Sequence, residues 1–278
     1  MSKLADSIMH PLLYILQTSG LENGSIQEDV ILTVGTLIEV LHSDFTKYMD
    51  SFKPSLLAGL QNYREYQVCI ASAGVVGDLS RALGEDILVY CDDLVKCLLA
   101  GLTELSLFRD AKPHIISALG DIALAIGPNF KNYIETVLQL LSQASQIEVD
   151  RKDYTLVEYM NELRDSCLDA YTGIIQGLKG PDPNEVNQEV QLIWPQVPFI
   201  LAFIDYIGKD PVRTDSNICS CCGILGDLSI SFGQNIIQVL KDKQGIDKIL
   251  IDGRNSDTQK TKLYANWATN AIKKFNQS

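Results

Sequence analysis

Histidines and metal-binding patterns are scarce in this sequence of 278 residues. The three histidines, His10, His42 and His114, lie far apart, and the one close cysteine group, Cys219–Cys222, has no second ligand pair near it. Zinc needs four ligands at usable spacing, so we interpret these cysteines as packing residues. No Gly-x-x-x-x-Gly-Lys-Ser/Thr loop for phosphate binding occurs. These absences argue against a bound metal, a cofactor and an enzymatic activity.

Long apolar runs are absent as well. None approaches the roughly eighteen residues needed to cross a bilayer, and Met1–Asp6 lacks the basic and then apolar pattern of a secretory signal. We therefore expect no membrane insertion. The seven cysteines lie mostly inside apolar helical patterns, which indicates a reducing compartment.

Basic residues are too few to balance the acids. The chain has 23 Lys and Arg against 35 Asp and Glu, a formal net charge of −12. Residues 241–278 reverse the balance with eight bases and four acids, so residues 1–240 carry −16. Such a surface repels phosphates, which argues against direct nucleic-acid binding. The acidity is either a solvated surface that favours solubility or a surface shaped for a basic partner.

A short phrase recurs along the chain. It begins Gly-Asp and closes on a glycine seven residues later, at Gly77–Gly84, Gly120–Gly127 and Gly226–Gly233. Weaker copies begin at Gly35 and Gly173, so the intervals between copies are 42, 43, 53 and 53 residues. The shorter intervals are typical of two-helix solenoid repeats, and the longer ones would hold an insertion. The closing glycine suits a helix C-cap.

Apolar residues three or four positions apart form helical stripes around each copy of the phrase, as in Val68–Leu83, Ile115–Ile126, Met160–Leu178 and Ile218–Phe232. Sustained alternation with a period of two is missing, so the pattern predicts an all-α solenoid of about six antiparallel helix pairs. The predicted pairs cover residues 4–43, 44–84, 85–127, 128–179, 186–233 and 234–276 of a single solenoid. Lys179–Asn184 is predicted to be an inter-helix loop and Ser145–Asp153 a polar linker.

Several stretches carry a more specific signal. They are Tyr66–Cys69, Gly74–Leu79 with Arg81–Leu83, Lys112–Pro113, Gly120–Gly127, Asn161–Arg164, Ala170–Ile174 with Gln176–Gly180, and Trp267–Thr269. In this order and over the whole length, they resemble the C-terminal third of the importin beta (karyopherin beta) family of nuclear import receptors. The resemblance implies a right-handed superhelix of HEAT repeats, about nineteen in the full receptor. The sequence is accordingly expected to be a fragment or a short product.

The resemblance also implies partners and a location. The family's C-terminal repeats wrap the basic importin-beta-binding helix of importin alpha, and phenylalanine-glycine nucleoporins dock in apolar gaps between first helices. Ran-GTP releases cargo, but its main contact lies N-terminal to the repeats matched here, so we expect adaptor binding to be retained better than Ran binding. The implied location is the cytoplasm, the nucleus and the nuclear pore at the nuclear envelope.

Four acids form a candidate binding surface, named here the acidic face: Glu158, Glu162, Asp165 and Asp169. At 100° per residue they fall within a sector of about 60° on one helix. The second helices of HEAT pairs line the concave surface, so a basic helix could pair with these acids. The alternative is a solvated helix face with Arg164 nearby.

Other candidates leave two interpretations open. Asp78, Asp121 and Asp227 recur at one repeat position, which favours a ladder of hydrogen bonds between neighbouring repeats over a contribution to an acidic groove. Trp267 matches a tryptophan in the family's last helix, where an indole can stack on Arg or Lys of a ligand or simply pack in the core.

Two classes of function remain on the sequence alone. The first is a nuclear import receptor segment that binds basic signals and nucleoporins without catalysis. The alternative is a HEAT-repeat scaffold that organises another complex, such as a phosphatase.

Overall fold

The computed structural model of the protein describes residues 2–19, 23–180 and 187–276. No strand occurs in these ranges, and the predicted all-α class is confirmed. The chain forms two compact units, Met1–Asn129 and Phe130–Ser278. The predicted pair boundaries, and their arrangement as one solenoid, stay predictions.

The first unit consists of two layers of helices. Its helices are α1 (Ser2–Thr18), α2 (Gly24–Leu41), α3 (Thr46–Leu60), α4 (Tyr66–Leu83), α5 (Cys91–Thr103) and α6 (Ala111–Ile126). The second helices of the pairs pack in sequence, α2 on α4 and α4 on α6, while α3 packs on α1 and α5 in the other layer. Short 3-10 turns, His42–Phe45 and Gly84–Tyr90, lead into α3 and α5.

The second unit repeats this arrangement. Its helices are α7 (Ile134–Ala144), α8 (Tyr154–Lys179), α9 (Val197–Lys209), α10 (Asp215–Phe232), α11 (Gln234–Leu240), α12 (Gln244–Asn255) and α13 (Gln259–Asn276), with 3-10 segments at Gly127–Asn132 and Gln188–Gln196. Helix α10 packs between α8 and α13, and α9 packs against α12. The layer of α8, α10 and α13 carries the candidate site.

The apolar stripes explain why the helices pack as they do. Stripe residues such as Leu79, Ile122, Cys167 and Leu228 have no exposed surface. Burial of each large apolar side chain contributes roughly 1.5–3 kcal/mol. Polar residues such as Glu158 and Glu162 lie on exposed faces between the stripes, whereas others, such as Arg164 and Asp227, are buried.

The closing glycine of the phrase ends each second helix, as predicted. Gly84, Gly127 and Gly233 have φ values of 54°, 55° and 54°, and their N–H groups donate to carbonyls in the last turn of the helix. Such positive φ values favour glycine because a Cβ atom is strained there. At the end of α2 the same conformation is adopted by His42, with φ 49° and ψ −132°.

Two expectations on connecting segments have different outcomes. The residues predicted as the polar linker, Ser145–Asp153, do connect α7 to α8. The predicted loop at Pro181–Asn184 lies outside the described residues.

The expectation that no segment is long and apolar enough to span a membrane is wrong by length and composition, since Gln188–Lys209 meets that test with 44 % of its window buried. Val197 and Ile204 in this segment have no exposed surface.

Candidate functional site

Helix α8 carries the acidic face and begins at a strong cap. The Asp153 carboxylate accepts hydrogen bonds from the N–H groups of Thr155 at 2.9 Å and Leu156 at 3.3 Å. An aspartate at this position satisfies free N–H groups and interacts favourably with the helix dipole. The helix then runs for 26 residues to Lys179. The four acids are therefore held on one continuous helix.

The acids are not equally available to a ligand. Glu158, Glu162 and Asp169 are exposed, whereas Asp165 is half-buried. The same side of α8 continues to Gln176, which lies about 27 Å from Glu158 along the helix axis. The face therefore has two exposed acids near its N-terminal end, and it is bonded to α10 at Asp165 and Asp169 further along the helix.

Asp165 is held by the neighbouring helix. Its carboxylate accepts a hydrogen bond of 2.6 Å from Asn217 Nδ2. Asn217 also belongs to the capping box of α10 with Thr214, and its Nδ2 donates to the carbonyl of Asn161. Burial raises the pKa of Asp165, and the bond from Asn217 offsets part of that rise. Asp165 thus joins α8 to α10 as well as contributing charge to the face.

Asp169 lies one turn further along α8. Ser220 Oγ donates to its carboxylate at 3.2 Å. Partial burial of the carboxylate beside α10 raises the pKa of Asp169, while the hydrogen bond from Ser220 and the positive charge of Lys260 on α13 lower it. The face therefore meets a cation of the chain itself at this point.

Arg164 does not neutralise the acidic face. Its side chain is 5 % exposed and pairs with Asp210 Oδ2 at 2.7 Å, while Arg151 in the linker pairs with the same oxygen at 2.6 Å. Burial would raise the pKa of Asp210, but the bonds from Arg151, Val212 N–H and Arg164 lower it overall. This buried network was not foreseen, because Arg164 and Asp210 are 46 residues apart and nothing in their local sequence pairs them.

Asp227 lies at the C-terminal end of the face. It is 2 % exposed and accepts hydrogen bonds from Gln176 Nε2 at 2.8 Å and Lys179 Nζ at 3.4 Å, both on α8. Its burial raises its pKa, and the two bonds from α8 act against this rise. Its bonds join two second helices, the geometry expected of the structural ladder.

An aromatic pocket of about 380 Å³ opens beside Asp227. Its lining residues are Gln176, Asp227, Leu263, Tyr264 and Trp267. The half-buried indole of Trp267 lies directly on Gly226, and its ring meets the Tyr264 ring edge-on with centroids 6.2 Å apart. The pocket combines aromatic walls with a buried carboxylate, so a ligand could place the stem of a Lys or Arg side chain there.

The other two repeat aspartates lie on the second helices of the first unit. Arg81 bridges them, with Nη2 2.5 Å from Asp78 Oδ1 and Nη1 3.3 Å from Asp121 Oδ2. Each carboxylate fills the space over a glycine of the preceding second helix, Asp78 over Gly35 and Asp121 over Gly77. Burial raises the pKa of Asp78, and Arg81 offsets part of that rise. These contacts also run between neighbouring repeats.

A second opening, named here the linker cleft, was not located by the sequence. It has a volume of about 420 Å³ and lies between the polar linker and α9. Its lining residues are Ser145, Gln146, Glu148, Phe199, Ala202, Phe203 and Tyr206. Phe199 is 47 % exposed, and the Tyr206 hydroxyl donates to the Glu148 carboxylate, which ties the linker to α9. The cleft therefore presents aromatic side chains of α9, the first helix of its pair, to the polar linker.

The cysteines are buried and show no metal-binding arrangement. Among the residues the structure describes, no group of three or more His, Cys, Asp and Glu could hold a metal ion. Cys219, Cys221 and Cys222 are buried, and burial raises the pKa of Cys222 to about 12. A thiol with such a pKa stays protonated at neutral pH and acts as a small apolar side chain.

The profile of the importin subunit beta-1-like family, which describes its repeats as TPR repeats, matches residues 1–254. The chain belongs to this family. The resemblance predicted from the sequence is thereby confirmed.

Members of the importin subunit beta-1-like family match almost all of the chain. Importin subunit beta-1 of Schizosaccharomyces pombe is 35 % identical over 272 residues, covering 97 % of this chain and 31 % of that protein. Importin beta crystallised in a polyethylene glycol condition has a TM-score of 0.90 at 31 % identity, covering 98 % of this chain and 32 % of that one. A Kap95:Nup1 complex has a TM-score of 0.87 at 26 % identity, covering 100 % and 31 %. The chain thus spans about a third of the length of these relatives.

Proposed function

We propose that the chain is a nuclear import receptor segment that binds a basic helix along the layer of α8, α10 and α13. The ligand is the importin-beta-binding helix of importin alpha or a basic cargo signal of the same chemistry. The observation that carries the proposal is the continuity of the acidic face with the aromatic pocket, through Gln176 on the same side of α8. Membership of the importin subunit beta-1-like family supports it.

The dimensions of this surface suit a helix. The distance of about 27 Å from Glu158 to Gln176 corresponds to a helical ligand of about 18 residues. Exposed ion pairs are each worth only about 0.2–1 kcal/mol and are screened by salt. Affinity therefore requires several pairs along the face together with aromatic contact to Trp267 at its end. We expect binding that falls steeply with ionic strength.

The test is charge reversal at the two exposed acids near the N-terminal end of the face, Glu158 and Glu162. In the variant Glu158→Lys with Glu162→Lys, the affinity for a Lys/Arg-rich helical peptide should fall about tenfold at physiological salt, because two attractions become repulsions. The single variants Glu158→Lys and Glu162→Lys are compared with the control Glu135→Lys on α7, which makes the same change of charge at an exposed position on a first helix. Equal affinities of wild type and the double variant would refute the proposal. Stable capture of a folded catalytic subunit, with no binding of a basic helix or of a phenylalanine-glycine peptide, would favour the scaffold alternative.

A second contact, with phenylalanine-glycine nucleoporins, is proposed for the linker cleft. Its aromatic lining, Phe199 and Phe203, suits insertion of a phenylalanine side chain, and the structural relative in complex with Nup1 supports a nucleoporin as the partner. Phe199→Ala should abolish the chemical-shift changes that a phenylalanine-glycine peptide induces. Leu192→Ala, which removes an exposed apolar side chain outside the cleft, should leave them intact. Retention of the shifts by the Phe199 variant would place the nucleoporin contact elsewhere.

The remaining parts of the proposal follow from a receptor role. The segment has no catalytic activity, and it shuttles between the cytoplasm and the nucleus through the nuclear pore. Ran-GTP is a weaker partner of this segment than the basic helix. A pull-down from cell extract, probed for importin alpha and for Ran, measures the capture of each partner. Capture of Ran without importin alpha would contradict the proposal that Ran-GTP is the weaker partner.

A further inference from the structure

Lys260 lies beside the acidic face because α10 and α13 run parallel. A Cβ atom at Gly223 would lie 3.4 Å from Tyr264 Cδ1, and Trp267 lies on Gly226, so positions 41 residues apart face each other. One turn earlier on both helices, the same register brings Lys260 next to Cys219 and Ser220. The Lys260 Nζ atom stays 5.9 Å from the Tyr264 ring centroid, on the side of α13 that faces the pocket.

Ser220 connects this position to α8, since its hydroxyl donates to Asp169 at 3.2 Å. Lys260 and Asp169 both act electrostatically on Cys219, the residue that precedes Ser220 on α10. Their electrostatic attraction lowers the pKa of Asp169 against the larger effect of burial. Asp165 on the same helix is a like charge that interacts with Asp169, and Asp215 acts on Cys219 of α10 as Lys260 does. Lys260 is thus a cation placed among acids.

We propose that Lys260 is an internal competitor for the acidic face, which limits the affinity of this surface for basic helices. A ligand cation that approaches Asp169 meets the positive charge of Lys260. It must either displace Lys260 from Asp169 or share the carboxylate with it. The inference rests on the proposed function and names a residue that tunes it.

The matched control is Lys262 on the same helix. Lys260 and Lys262 are both exposed, but two residues correspond to a rotation of about 200°, so Lys262 points away from α10. Neutralising either lysine changes the net charge of the chain by the same amount. A difference between the two variants therefore reports position and not total charge.

The experiment is a titration of the full chain with a synthetic Lys/Arg-rich helical peptide at two salt concentrations. Lys260→Met should bind about two- to fivefold more tightly than wild type at physiological salt, because one exposed repulsion is removed. Lys262→Met and the charge-preserving Lys260→Arg should bind as wild type does. The gain should vanish at about 0.5 M salt, where charges are screened within a few ångströms.

The outcomes separate this inference from the function on which it rests. If wild type does not bind the peptide, the proposed function fails and this inference fails with it. If wild type binds but Lys260→Met binds no more tightly than Lys262→Met, only the inference is overturned. Weaker binding by Lys260→Met would also overturn it, since Lys260 would then support the ligand instead of competing with it.

Discussion

Replacement of His42 by glycine should stabilise the first unit. His42 ends α2 with φ 49° and ψ −132°, the conformation that Gly84 adopts after α4 with φ 54° and ψ −132°. A side chain with a Cβ atom in such a region stores about 1–3 kcal/mol of strain. The His42 side chain is exposed, so its loss removes little packing.

The magnitude follows from two opposing terms. Glycine releases the strain of about 1–3 kcal/mol, but it makes the unfolded chain more flexible, which costs about 0.4–1 kcal/mol. We therefore expect His42→Gly to raise the free energy of unfolding by about 1 kcal/mol. For a unit of this size, the melting temperature should rise by roughly 3–5 °C.

The control is Gly84→Ala, the reverse change at an equivalent position. No atom lies within 4 Å of a Cβ placed on Gly84, so the substitution tests backbone strain without a steric clash. It should destabilise the chain by about 1 kcal/mol. Urea unfolding followed by circular dichroism measures both variants, and fluorescence of Trp194 and Trp267 follows the second unit as a reference. If His42→Gly is neutral or destabilising while Gly84→Ala is tolerated, the cap explanation is refuted.

Three further predictions concern the second unit. Asp210→Asn should cost about 3 kcal/mol or more in the free energy of unfolding, because two arginines lose their shared buried anion. The lowered pKa of Asp210 means that its stabilisation is present at neutral pH and is lost as pH falls through the folded-state value, so wild type should lose stability on acidification more steeply than the variant. Gly226→Ala should displace Trp267 and weaken basic-helix binding without changing peptide binding at the linker cleft, as measured by parallel titrations. As the pH is lowered, affinity for a basic helix should begin to fall at a pH above the usual aspartate range, because the raised pKa values of Asp165 and Asp169 let both carboxylates take up protons earlier. The variant Asp165→Asn with Asp169→Asn should lack this pH dependence.

The parts of the fold that depend on local sequence were predictable. The stripe that includes Leu79 follows from helical periodicity, and the glycine at position 84 follows from the cap it forms. Both signals lie within one helix and its end. They identify the helix and the place where it stops without knowledge of its neighbours.

The details of the candidate site depend on partners that are distant in sequence. The acidic face was predicted from spacing alone, but the hydrogen bonds that join Asp165 and Asp169 to α10 were not. Asn217, which holds Asp165, lies 52 residues away and belongs to the cap of another helix. Arg164 was expected beside the acids, yet the structure buries it against Asp210. Helical periodicity places a residue on a face, but only the packing of a second helix decides which charges on that face are partly buried and bonded.

The repeat phrase itself links the fold to the proposed binding surface. In the first unit, the space over the glycine of one second helix holds the aspartate of the next, as with Gly77 and Asp121. Over Gly226 the corresponding space holds Trp267 from α13. The indole there is also a wall of the pocket that contains Asp227. The close approach that a glycine permits between second helices thus serves an aspartate contact in the first unit and seats an aromatic wall of the proposed binding surface in the second.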